Sequence, residues 1–194
     1  MSKTRLEAFS DAVIAIIITI MVLELKVPED STEWGALKDH HTWKVFLAYL
    51  LSFIFLGIYW NNHHHMLHAA ERTNGAVLWA NLHLLFWLSL VPAATAWIDD
   101  GVHTAPTAVY GIVFIGSAIA YTILQVTLVR CNGRNSRLAM AVQSGVKEKM
   151  SLVLYAAAIA LAFVLPIVSV AIYALVALIW LVPDRRIERV MHSQ

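Results

Sequence analysis

The sequence is poor in cysteine, charge and glycine. One cysteine among 194 residues, Cys131, leaves no partner for an intrachain disulfide, so a disulfide-stapled scaffold is excluded. Charged residues make up 14% of the chain, against about 25% in a soluble domain. Eight glycines are too scattered to form a phosphate-cradling loop, and no P-loop is present. There is no G-x-S-x-G and no H-E-x-x-H, so neither a serine hydrolase elbow nor a zincin helix is encoded. A net charge of +1 provides no basic footprint for nucleic acid. Disorder is excluded as well, since it needs low hydrophobicity and high charge.

What is abundant is apolar sequence. Hydrophobic residues reach 59% and the mean hydropathy is +0.67. At about 20 apolar residues per crossing, the length allows about six crossings and little else. We therefore expect an all-α polytopic membrane protein, residues 1–194 forming a single six-helix domain with no sizeable extramembrane part. The first apolar run starts near Ala8, already contains Asp11 and continues to Val27 without a small-residue cleavage pattern. It reads as a spanning helix rather than a cleaved signal.

The expected spans are 5–27, 43–67, 75–98, 105–129, 149–165 and 168–183. The last two share one apolar run of 31 residues, Leu152 to Val182, which Pro166 divides into a short hairpin. With the N-terminus inside, 11 of the 14 lysines and arginines fall on the inner side. That bias puts both termini in the cytoplasm. Glu24, Glu29, Asp30, Glu33, Asp39, Asp99 and Asp100 gather outside, and Trp34, Trp43, Trp60, Trp79, Trp97 and Trp180 fall near span ends. Cys131 reads as an inert cytoplasmic thiol. The basic runs Arg130–Arg137 and Arg185–Arg189 read as topology determinants.

The first helix is the most informative. Arg5, Phe9, Ser10 and Asp11 stand at its cytoplasmic end. Asp11 lies about one turn inside the apolar run, where an ionised carboxylate is costly unless paired. Either it caps the helix, with Ser10, or it finds a partner on another helix, such as His63 or Asn81. Beyond it, Ile16, Ile20 and Leu23 form one aliphatic stripe. Ala8, Ala12, Ala15 and Thr19 form a second, small-residue stripe that permits close helix packing. The aliphatic stripe faces lipid or core, or it forms a constriction that gates by dewetting if several copies surround an axis. In the second case Glu24 sits near an outer mouth that concentrates cations.

The run NNHHHMLH contains His63, His64, His65 and His68. His64 and His68, spaced i, i+4, are the candidate metal pair, although a metal site needs a third ligand. Two alternatives to a pore are therefore a His-cluster membrane protein carrying metal or haem, and a secondary cation transporter. Midplane charges and broken helices mark the latter; here only Pro92 and Pro166 interrupt spans.

Arg5-x-x-x-Phe9-Ser10-Asp11, followed by Ala12 and Ala15-Ile16, resembles the R-x-x-x-F-S-D signature of the endo-lysosomal transmembrane potassium channel family. The likeness is to its single-repeat prokaryotic members. It extends through Trp60-x-x-His63, then Asn81 and Leu90-Val91-Pro92. The resemblance implies a homotetramer in the cell membrane of a prokaryote, with the first helix of each subunit lining the pore. It implies passage of potassium and other monovalent cations, no further cofactor, and no enzymatic activity. No T-V-G-Y-G filter is present. By match to the motif, Ile16, Ile20 and Leu23 take pore-lining positions, and Thr19 takes the place of a pore-facing hydroxyl. Arg5, Phe9, Ser10, Asp11, His63 and Asn81 fall on the polar network that holds the pore helix.

Overall fold

In an apolar medium a backbone must satisfy its own hydrogen bonds, and runs of Leu, Ile, Val and Ala do so as helices. The computed structural model describes residues 2–25, 40–99, 102–133, 135–141 and 145–181, and their regular structure is entirely helical. The helices are α1 (Lys3–Met21, continued by a 3-10 turn over Val22–Glu24), α2 (His40–Ala69), α3 (Gly75–Ser89), α4 (Val91–Asp99), α5 (Thr104–Asn132), α6 (Arg137–Ala141), α7 (Val146–Leu161) and α8 (Pro166–Leu181). Among the described residues three stretches are long and apolar enough to cross a membrane: Thr42–Ala69, Gly75–Ile98 and Thr104–Asn132.

Each expected span overlaps helix within the described residues, and the differences have local causes. The first helix does not run on to residue 27. Its regular part ends at Met21 and tightens into the 3-10 turn, as helix ends do when their carbonyls lack partners. The third span is two helices, because Pro92 offers no N–H to the carbonyl one turn earlier and the chain turns at Leu90. The long apolar run breaks over 162–165, and Pro166 takes the first position of α8, where its missing N–H costs nothing. Trp34 and the acidic residues Glu29, Asp30, Glu33 and Asp39 lie outside the described residues.

α5 is the centre of the bundle and packs against α3, α4, α7 and α8. Two glycines permit the closest approaches. The Trp87 ring of α3 lies against Gly116, and the hydroxyl end of Tyr173 lies against Gly111; a Cβ at either position would collide. Phe55 and Phe114 stack with ring centroids 3.7 Å apart.

Polar groups cross-link the core. Ser52 Oγ lies 2.7 Å from both Thr95 Oγ1 and Tyr110 Oη, and all three residues are buried. Thr95 donates its proton to the Val91 carbonyl, so Ser52 donates to Thr95 and accepts from Tyr110. At one end of the bundle the Asn132 side chain closes α5 onto the α2–α3 turn. Its Oδ1 accepts from the Glu71 and Arg72 N–H groups, each at 2.8 Å, and its Nδ2 donates to the Arg72 carbonyl.

Candidate functional site

α1 has two apolar faces. Leu6, Ser10, Ile14, Ile17 and Met21 recur at helical spacing and are buried against α2, α3 and α4. The opposite face is uncovered: Phe9 is 47% exposed, Ile16 56%, Ile20 45% and Leu23 75%. Thr19 is exposed too, its hydroxyl donating to the Ile16 carbonyl. The expectation that Ala8, Ala12 and Ala15 serve close packing does not hold within the subunit, where all three are exposed. The row that packs is the one carrying Ser10.

Ser10 is the first link of a buried chain of polar groups. Its Oγ donates to the Leu6 carbonyl at 2.8 Å and accepts from Asn81 Nδ2 at 2.9 Å. Asn81 Oδ1 in turn accepts from His63 Nε2 at 2.7 Å. An amide oxygen only accepts, so the imidazole carries its proton on Nε2. Ser10 and Asn81 are fully buried and His63 is 1% exposed. Helices α1, α3 and α2 are thus joined through one continuous hydrogen-bonded line. Of the three adjacent histidines, His63 is the buried one; His64 is exposed.

Asp11 stands outside this chain. Its carboxylate accepts from the Trp60 indole N–H at 3.0 Å, one turn before His63 on α2; it hydrogen-bonds neither His63 nor Asn81, and its charge acts on the His63 ring through space. Trp60 read as an interfacial belt residue; its position in Trp60-x-x-His63 is the signal that it shares a helix face with the anchor. Arg5 and Phe9 lie on the exposed side of α1 and take no part in the buried chain. Lys3 Nζ reaches the His68 carbonyl at 3.0 Å, a second tie between α1 and the end of α2 that sequence spacing does not reveal. The Glu24 side chain lies outside the described residues.

His64 and His68 face each other along α2, ring centroids 6.1 Å apart. Among the described residues no group of three potential ligands assembles around them or elsewhere. His83 is exposed and accepts from Trp87 Nε1 at 3.0 Å.

Residues 5–92, which include α1, the anchor and the Leu90–Pro92 break, match the family described as endosomal/lysosomal potassium channel TMEM175. A protein of Chryseobacterium sp. (strain P1-3), named as a potassium channel, is 57% identical over 191 residues, covering 97% of each chain. The chain belongs to the TMEM175 family. A second member, named as a potassium channel of Streptomyces collinus, is 36% identical over 65% of this chain and 64% of its own length. The crystal structure of a TMEM175 homologue from Chamaesiphon minutus, titled a lysosomal potassium-selective channel homologue, has the same fold. The TM-score is 0.77 at 28% identity, over 95% of this chain and 97% of that one. TMEM175 proteins are membrane-embedded ion channels, not enzymes, so the His-cluster redox alternative has no support in the family.

Proposed function

We propose that this TMEM175 member is a potassium channel through which cations pass passively along an axis lined by α1. Four subunits surround the axis, each contributing six membrane-spanning segments, with both termini in the cytoplasm of a prokaryotic cell. The observation that carries this reading is the asymmetry of α1. One face is anchored by a buried Ser10–Asn81–His63 chain, and the other leaves Ile16, Ile20 and Leu23 uncovered in the single subunit. A row of aliphatic side chains held at a fixed rotation, repeated around an axis, makes rings with no groups to replace an ion's hydration. Such rings conduct when wide enough to stay wet and block when they dewet. Thr19 adds a hydroxyl at the level of the rings, and Glu24 supplies negative charge at the outer end. The names carried by the Chryseobacterium and Streptomyces relatives support potassium as the ion.

The anchor orients rather than conducts. Ser10, Asn81 and His63 are spent on one another, and the Trp60–Asp11 bond braces the next residue of α1 against α2. A reversal potential tests the reading directly: purified protein in a planar bilayer, potassium on one side and sodium on the other. A shift toward the potassium equilibrium potential is expected. Saturable, proton-coupled uptake without single-channel events would replace the channel with a transporter.

A further inference from the structure

A cavity of about 30 Å³ lies within the single subunit, between α2, α5, α7 and α8 and away from the uncovered face of α1. Tyr59, Tyr121, Tyr155 and Trp180 wall it with aromatic rings, and Asn62 and Glu148 line it with oxygens. Several polar atoms here are already used. Tyr121 Oη donates to the Asn62 carbonyl at 3.4 Å, and Trp180 Nε1 donates to Ser151 Oγ at 2.8 Å. Asn62 Nδ2 donates to the Ile58 carbonyl, and one Glu148 oxygen accepts from Gln125 Nε2 at 3.3 Å.

Four oxygens remain without a partner among the described residues: the hydroxyls of Tyr59 and Tyr155, Asn62 Oδ1 and the second oxygen of Glu148. Tyr155 as a whole is only 3% exposed. Among the described residues only Thr107 Oγ1 is a fully buried side-chain oxygen without a partner, so these four are not sealed in the packing and face open space, as atoms lining a cavity do. This set is rich in acceptors. The amide and carboxylate oxygens only accept, the phenol oxygens can accept, and the ring faces carry negative quadrupole. Glu148 makes no ion pair among the described residues. The volume suits one or two water-sized particles, which is the size of a potassium or ammonium ion with at most one water. One carboxylate is too little charge, and the walls too crowded, for a hydrated magnesium ion.

We propose that this cavity is a monovalent-cation site inside each subunit, coordinated by oxygens of Tyr59, Asn62, Glu148 and Tyr155 and faced by aromatic rings. The site fastens α7 to α2 and stands independently of conduction along the α1 axis. It is tested by thermal unfolding of the purified full chain in detergent, titrating potassium chloride against N-methyl-D-glucamine chloride at constant ionic strength. The glucamine ion is too large for the cavity. The unfolding midpoint is expected to rise saturably with potassium. Glu148→Gln should raise the half-saturating concentration at least about tenfold, since a hydrogen bond or contact to a charged group is worth more than one such factor. Tyr155→Phe keeps the ring, removes one oxygen and should move it in the same direction, and it carries the test if Glu148→Gln does not fold. A parallel ammonium chloride titration shows which ion binds more tightly; saturable stabilisation by either supports the site. Stabilisation by neither ion, or variants that fold and titrate like the parent, overturns it.

Discussion

The two faces of α1 have similar apolar composition and opposite surroundings. Leu6, Ile14, Ile17 and Met21 are sealed against α2, α3 and α4; Ile16, Ile20 and Leu23 are exposed. In water, burial would discriminate between a covered and an uncovered face. In a bilayer it does not, because lipid tails are as apolar as a protein core. The discriminating residue is Ser10. Its proton is satisfied on the Leu6 carbonyl in either orientation, but only on the sealed face does its oxygen also accept from Asn81 and so give that buried amide a partner.

This contrast can be broken in graded steps. The largest loss of stability is expected from Ile14→Ala, on the sealed face. Cavity formation should cost about 2–5 kcal/mol, read as a lowered denaturant midpoint in detergent. Asn81→Ala comes next, at about 1–3 kcal/mol, because it strands His63 Nε2 in the interior and takes from Ser10 Oγ the bond it accepts, leaving Ser10 only its bond to the Leu6 carbonyl. Adding Ser10→Ala to that variant should cost little more, and a double-mutant cycle with full additivity would show that the two residues are not coupled. Trp60→Phe removes only the partly exposed bond to Asp11 and should cost no more than about 1 kcal/mol. The smallest stability change, under about 0.5 kcal/mol, is expected of Ile16→Asn on the uncovered face, together with raised conductance in bilayer recordings. A loss as large as that of Ile14→Ala, with conductance unchanged, would remove α1 from the axis.

Hydropathy made the helices legible, since long runs of aliphatic residues between Pro28, Arg72, Asp99 and Arg130 leave few other places to turn. Pro92 and Pro166 announced their own breaks. The motif Arg5-x-x-x-Phe9-Ser10-Asp11 pointed to the right stretch of chain. It did not distinguish the roles of neighbouring residues within that stretch. Ser10 and Asp11 are adjacent, so they point about 100° apart on the helix, and that angle sends one to Asn81 and the other to Trp60. Periodicity alone could not assign those directions, because both candidate stripes on α1 were apolar. Ties made over long sequence separations, such as Lys3 to the His68 carbonyl or Asn132 to Arg72, leave no local pattern to read.

The Asn132 clamp has a consequence for biosynthesis. The N–H groups of Glu71 and Arg72 wait for a cap that the ribosome supplies 61 and 60 residues later. Chains are made from the N-terminus onward, so α2 and α3 enter the bilayer with their connecting turn still dependent on water. The turn can be completed only when the far end of α5 arrives beside it. Asn132 thus marks a point in time as well as in space, after which the early hairpin can no longer separate from the later part of the chain without exposing both backbone donors.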